Sequence, residues 1–402
     1  MENTMLKKES LISALLGIGL IISFLIIFYL ARGYQFDFRK RQIEGTGILV
    51  VRSIPDGALI YLNDKKYGAT NSSISALSPG RYTLKVEKQG YHHWQREIII
   101  RKELVSEAEA LLAPLFPELK PLTYTGVLNP IISPDRQRVL FTAPENGLSS
   151  LWLLDIVERP FNLASKPRQL LTDTKEYAYS QSTKQWSPDS REILLKLNTP
   201  SLQNKPQITA FTFNVDSKSL QKVGNLEKLE QEWQEETEAL QEKNLQNLSQ
   251  ETIARLSTVT NPLWSPDRNA VVYKEITENQ VFYKVLDLNP STALNNQISP
   301  STTPQSIHYK EYNTYQADKA KFTKLVWYPD SKHLIILEKE SKEAEKGKLS
   351  LIEADGQNKN EFFSGTIKGD YVFPFSNGTK VAILTTFNPE TKVYNLYSIS
   401  LR

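Results

Sequence analysis

The chain of 402 residues contains no cysteine, two methionines and four histidines. Without cysteine there is no disulfide, no thiol nucleophile, no thiolate metal ligand and no residue for lipoprotein acylation, so packing must supply the stability. A dominant charge is missing too. Against 45 acidic residues stand 48 basic ones, for a net charge of +3, and no long single-sign block occurs outside one glutamate-rich stretch. Nucleic acid, which demands a basic footprint, is therefore not an expected partner. The signatures G-x-S-x-G, H-E-x-x-H, G-x-x-x-x-G-K and D-x-D-x-D-G are all absent. The histidines are His92, His93, His308 and His333. His92 and His93, adjacent on a predicted strand, would face opposite sides and make a poor metal pair, and His333 reads as a turn residue. No catalytic, cofactor-binding or metal-ligating residue is assigned, and no cofactor is expected.

The first positive feature is a run of 22 residues without a charge, Ser10 to Ala31, between Glu9 and Arg32. As a helix it would be about 33 Å long, against a hydrocarbon core of about 30 Å. It reads as an uncleaved single-pass membrane anchor, since Tyr29-Leu30-Ala31-Arg32 offers no small-x-small processing site. The expected order is a short tail (1–9), a transmembrane helix (10–31) and a juxtamembrane linker (32–46). Lys7 and Lys8 before the helix, against Arg32, Arg39, Lys40 and Arg41 after it, would place the C-terminal part in the cytoplasm. Long domains translocate largely regardless of such charges, however, and a first hydrophobic segment behind a short basic tail acts as a signal anchor. The expectation is a single-pass protein of the cell membrane with its C-terminal domains extracytoplasmic.

About 370 further residues exceed one ordinary core, so at least two domains are expected. From Gly47 to Leu112 the pattern is short strands and tight turns: Tyr82, Leu84 and Val86 alternate with Thr83, Lys85 and Glu87, and Pro55-Asp56-Gly57 and Pro79-Gly80 mark turns. Four or five strands would form a small antiparallel β-sandwich. Pro55-Asp56-Gly57-Ala58, Ile60-Tyr61-Leu62-Asn63, Gly68-Ala69-Thr70, Leu77-Ser78-Pro79-Gly80-Arg81-Tyr82 and Gly90-Tyr91 with Trp94 resemble the PEGA domain, with aspartate in place of the signature glutamate. The resemblance implies a non-catalytic extracytoplasmic sandwich. Tyr91 and Trp94 could form a carbohydrate platform or close the core, and the small domain size favours the core.

Residues 113–121, with Pro114, Pro117 and Pro121, read as a stiff linker. Beyond it one phrase recurs: Ser133-Pro134-Asp135, Trp186-Ser187-Pro188-Asp189, Trp264-Ser265-Pro266-Asp267 and Trp327-Tyr328-Pro329-Asp330, each followed by an apolar strand, with Pro374-Phe375-Ser376-Asn377-Gly378 as a worn fifth copy. Each aspartate can accept backbone N–H groups of a turn, the proline presets that turn, and tryptophan fills the space between neighbouring sheets. The repetition of Asp135, Asp189, Asp267 and Asp330 favours structure over hydrolysis. The pattern resembles the TolB-like or WD-like β-propeller over roughly 118–402, in which the phrase joins the first two strands of a blade. Arg168 to Thr172 then looks like an outermost strand. Five copies imply five blades, with a possible sixth in Pro290 to Lys321. A strand near Leu119 to Tyr124 could complete the last blade and remove its open edge.

Residues 226–256, free of glycine and proline, predict a helical insertion with a sparse stripe of Leu226, Leu229, Trp233, Leu240 and Leu248, either a partner-binding lid or a surface decoration. The expected class is mainly β: one transmembrane helix, a PEGA-like sandwich and a propeller. The expected function is binding or scaffolding, with an envelope protein or polysaccharide as partner. The alternatives are a structural envelope element without a discrete ligand and a propeller-type glycoside hydrolase with a carboxylate pair.

Overall fold

The computed structural model describes residues 2–31, 34–37, 42–145, 147–157, 166–199, 207–246, 248–288, 309–387, 390 and 392–402. These divide into two compact units, with the boundary in the sequence between Leu112 and Ala113.

The first unit opens with helix α1 (Glu2–Ala31) and a two-stranded antiparallel ribbon, β1 (Tyr34–Asp37) and β2 (Gln42–Gly45), where a plain linker was expected. The expected transmembrane helix is corrected here. Among the described residues no helix is long and apolar enough to cross a membrane.

Two small sheets follow. One holds β3 (Gly47–Ile54), β6 (Ser72–Leu77) and β9 (Val105–Leu111); the other holds β4 (Leu59–Leu62), β5 (Lys65–Ala69), β7 (Gly80–Glu87) and β8 (Trp94–Ile100). Their inward residues share one core: Leu49 and Val51 from β3, Ile60 and Leu62 from β4, Leu84 and Val86 from β7, and Ile98 and Ile100 from β8. Burying each such side chain contributes roughly 1.5–3 kcal/mol toward offsetting the chain entropy lost on folding. The purely antiparallel expectation is corrected, because β9 runs parallel to β3, from Ile48↔Val105 to Ile54↔Leu111. The chain changes sheets between β8 and β9, where the Glu103 N–H binds the Thr46 carbonyl, so β9 enters beside the start of β3. Trp94 is 1% exposed within this core and Tyr91 packs against it. Trp94 closes the core, as the favoured alternative expected, and Tyr91 is half-buried beside it.

The second unit consists of five four-stranded antiparallel sheets. Its first strand, β10 (Leu119–Pro121), belongs to the last sheet. The first sheet is β11 (Leu128–Ile132), β12 (Arg138–Glu145), β13 (Leu148–Asp155) and β14 (Arg168–Thr172). The second is β15 (Thr183–Trp186), β16 (Glu192–Thr199), β17 (Gln207–Asn214) and β18 (Ser219–Lys222). Helices α2 (Leu226–Leu245) and α3 (Gln250–Ser257) come next, capped by Asn225 and Ser249, whose side chains accept the N–H groups of Lys228 and Thr252. The third sheet is β19 (Leu263–Trp264), β20 (Ala270–Ile276), β21 (Gln280–Asp287) and β22 (Lys310–Asp318); the fourth is β23 (Phe322–Trp327), β24 (His333–Lys339), β25 (Lys346–Glu353) and β26 (Asn360–Thr366). The fifth is β27 (Val372–Pro374), β28 (Lys380–Thr385) and β29 (Asn395–Ser400), completed by β10 in the register Leu119↔Ile399, Lys120↔Ser398 and Pro121↔Tyr397.

This is a β-propeller-like topology of five blades among the described residues, closed by joining the beginning of the unit to its end. The suggested sixth blade is corrected in part: β22 is the outer strand of the third sheet, and residues 289–308 lie outside the described residues. Core clusters join the fifth sheet to the first, the first to the second and the third to the fourth. The second sheet also packs on α2 through Leu194, Ala210 and Trp233, and the third on α3 through Leu256, Val271 and Tyr273.

Candidate functional site

The repeated phrase builds one kind of turn five times. Ser187 and Ser265 donate to their aspartates at 2.6 Å, and Ser133 does the same to Asp135. The same serine oxygens accept the N–H groups of Arg138, Glu192 and Ala270 at 2.8–3.0 Å. Each carboxylate accepts an N–H two residues on: Gln137, Arg191 and Asn269 at 3.0 Å, and Lys332 at 2.8 Å. In the worn copy Asn377 accepts from Thr379 at 3.0 Å, so an amide oxygen suffices. Burial would raise the Asp189 and Asp267 carboxyls, but the serine and backbone donors outweigh it and hold both below the usual range. Asp189→Ala and Asp267→Ala should each lower unfolding free energy by about 1–3 kcal/mol through unpaired donors. Thermal melting checks this, and a variant that melts like the parent would contradict the turn role. Since these pKa values are depressed, the stabilisation is present above the ordinary carboxylate range and is lost as pH falls through the lowered values.

The residue after each aspartate, or after Asn377 in the worn copy, has a positive φ: Arg136 (59°), Ser190 (65°), Arg268 (65°), Ser331 (60°) and Gly378 (70°). These five equivalent positions do different work. Ser190 Oγ accepts the Asp135 N–H at 3.0 Å, and Ser331 Oγ accepts the Asp267 N–H at 3.1 Å, tying the first sheet to the second and the third to the fourth. Gly378 offers its carbonyl to the Tyr328 hydroxyl, and a Cβ there would collide with that ring. The two arginines make neither kind of link. Arg136 instead reaches from the first sheet to the third, where its Nη2 donates to the Trp264 carbonyl at 3.3 Å.

Beside this crossing lies a cleft of about 520 Å³, bounded by Pro134, Trp186, Pro188, Trp264 and Arg268 of three sheets and by Trp233 and neighbouring residues of α2. The helix is fixed there by its apolar face. Leu226, Leu229 and Trp233 pack on the second sheet, Lys196 pairs with Glu230 at 2.7 Å, and the half-exposed Leu240 lines the cleft. Helix α3 is fixed separately, by Arg255 binding Glu311 at 2.7 Å and contacting Tyr273. Of the cleft's lining residues, Glu230 is the one carboxylate. The Nη1 of Arg136 and the Nε1 of Trp186 are buried and lack hydrogen-bond partners among the described residues.

The residues singled out by sequence divide clearly. The four aspartates are turn elements. His333 is buried and binds Asp330 through Nδ1 at 2.6 Å, replacing the serine that this copy lacks. His92 is half-buried and His93 exposed, both ahead of β8 rather than on a strand as expected; His308 lies outside the described residues, and no group of three or more metal-ligating side chains occurs among the described residues. Trp186 and Trp264 do meet in the cleft. Arg268, which lines the cleft, and Arg136, which reaches the Trp264 carbonyl beside it, were not singled out from the sequence. Their only signal was arginine directly after Ser-Pro-Asp in two copies of the phrase.

Comparison with known proteins bears on the two units unequally. Residues 46–114 match the PEGA domain. The match covers the seven-stranded sandwich and leaves the larger unit to be identified by its topology. No curated protein matches the chain. Among solved structures, TolB from Acinetobacter baumannii is 12% identical with a TM-score of 0.25, the alignment covering 93% of this chain and 67% of that one. An uncharacterized protein from Listeria monocytogenes EGD-e is 14% identical with a TM-score of 0.21, over 79% of this chain and 76% of that one. A prolyl endopeptidase is 11% identical with a TM-score of 0.23, over 69% of this chain and 35% of that one. At these scores the five sheets and their closing strand, rather than the neighbours, define the fold.

Proposed function

We propose that this chain is a non-catalytic recognition protein whose propeller-like unit binds a protein or polysaccharide ligand in the cleft beneath α2, with the PEGA-matching sandwich as scaffold. The observation that carries the reading is the convergence of Trp186 and Trp264, from two copies of the repeated turn, with Trp233 from the inserted helix around one 520 Å³ space. That volume lies in the range of roughly 300–1,000 Å³ typical of ligand clefts, and loop-built sites on a rigid frame are where recognition concentrates. Glu230, the lining carboxylate, is committed to Lys196, which favours binding over acid–base chemistry.

The test is a panel of envelope polysaccharide fragments and envelope proteins, titrated against the full-length chain with tryptophan fluorescence as readout. Trp264→Ala should weaken the ligand found by at least about tenfold, a loss of about 1.4 kcal/mol, without unfolding the protein. An unchanged affinity in a folded Trp264→Ala variant would place recognition elsewhere. A panel without any binder would favour a purely structural element.

A further inference from the structure

Successive residues of a strand point to opposite faces, so each sheet of the larger unit has two faces to cover. On the second sheet, Ile193, Leu195, Phe211 and Phe213 pack toward the first sheet, while Leu194 and Ala210 meet Trp233 of α2. On the third, Val272, Tyr283 and Val285 pack toward the fourth sheet, while Val271, Tyr273 and Leu286 meet Leu256 of α3. The helices therefore stand where one sheet would otherwise face the next. The turn link changes at the same junction. Ser190 ties the first sheet to the second and Ser331 the third to the fourth, but the corresponding residue of the third sheet is Arg268, which has no hydroxyl to accept the Asp189 N–H.

The two helices are held unequally. Of the 20 residues of α2 only Trp233 is buried, with Leu226 and Leu229 half-covered beside it. The Lys196–Glu230 pair at 2.7 Å is partly open to water, where such pairs contribute little. Helix α3 buries two of its eight residues, Thr252 and Leu256, and its Arg255 donates to Glu311 through Nη2 at 2.7 Å and Nε at 3.1 Å. Leu245, at the C-terminal end of α2, and Leu248 beyond it join the α3 cluster on the third sheet. The first half of α2 thus rests on the second sheet by few contacts, while its end belongs with the third. Segments with few buried contacts open locally, well below the cost of global unfolding. We propose that α2 is a lid: the part around Trp233 lifts off the second sheet about the C-terminal end of the helix, while α3 stays in place. Thr237, Leu240 and Gln241 travel with Trp233, so the cleft of about 520 Å³ widens as the lid lifts. The motion belongs to the ligand-free chain, and its test is separate from that of ligand binding.

The chain has no cysteine, so a single introduced thiol reports on one place. Ala210 packs with Trp233, and Ala270 lies between the third and fourth sheets; each is 5% exposed. Full-length Ala210→Cys and Ala270→Cys chains are labelled with 5,5′-dithiobis(2-nitrobenzoate), and each rate is divided by its rate in urea. Ala210→Cys should react at least about tenfold faster than Ala270→Cys, since only lid opening uncovers it without parting two sheets. Adding Glu230→Gln should speed Ala210→Cys by about two- to threefold and remove most of the salt dependence of its labelling. Equal rates for the two thiols would overturn the lid. Fast labelling of Ala210→Cys that ignores both salt and Glu230→Gln would overturn α2 as the moving part. Hydrogen exchange of the unaltered chain decides where a variant fails to fold: amides of Glu230–Gln241 should exchange at least about tenfold faster than those of Ile253–Leu256. Exchange of both helices at one common rate would overturn the lid.

Discussion

Trp327→Ala is expected to destabilise the propeller-like unit by about 3–5 kcal/mol, the cost of emptying a large aromatic site in a packed core. Trp327 is fully buried where the third and fourth sheets meet, among Val272, Val285, Leu334 and Ile336. Its Nε1 also donates to the Leu263 carbonyl at 2.8 Å, and alanine would leave that carbonyl unpaired beside the cavity. For a unit of this size, such a loss corresponds to a melting temperature lower by on the order of 10 °C. Differential scanning calorimetry would show it. A shift under about 2 °C would mean that the two sheets are not held together through this side chain.

His333→Ala should cost about 3 kcal/mol, near the low end for breaking a buried ion pair because Asp330 keeps some contact with water. The pH dependence is the sharper signature. Burial alone would lower the His333 pKa, but the facing Asp330 carboxylate and its hydrogen bond outweigh that and raise it. Burial likewise opposes the Asp330 charge, yet His333 and the N–H groups of Lys332 and His333 hold this carboxyl below its usual value. A raised histidine contributes stability that is complete below its ordinary value and fades as pH rises through the folded one. A depressed aspartate contributes stability present above its ordinary value and lost as pH falls through the folded one. The gap between the parent and His333→Ala should therefore be widest between the ordinary values of 3.8 and 6.5, and should narrow toward both extremes. His333→Gln, which can keep a neutral hydrogen bond, should show a smaller gap with weaker pH dependence. Urea titrations across pH 3–9 test this, and a gap independent of pH would remove the ion pair from the explanation.

Much of the propeller-like unit could be read from one short phrase because its chemistry is local. Serine, proline and aspartate specify the turn within a few residues, so the aspartate bonds and the hairpins they close followed directly. The role of β10 also followed from strand counting, since a last sheet ending in its third strand needs a fourth. Three other features were hidden for physical reasons. Alternation along β3 and β9 reports which side chains are buried but not the direction in which a strand enters its sheet, so the parallel pairing was missed. The uncharged run at 10–31 measured hydropathy alone, and the expectation of a membrane span did not survive. Arg268 looks like an ordinary polar turn residue, and only the third dimension places it beside Trp264 and opposite Trp233, which a largely polar helix brings in.

Hydrogen–deuterium exchange mapped with and without the ligand that the full-length chain retains from the panel tests most directly where recognition takes place. Protection is predicted in Gln185–Pro188, in Trp264–Arg268 and along α2, the three segments that surround the cleft. Protection confined to the sandwich, or to the outer strand β22, with the cleft segments unchanged, would contradict the assignment of the cleft as the binding site.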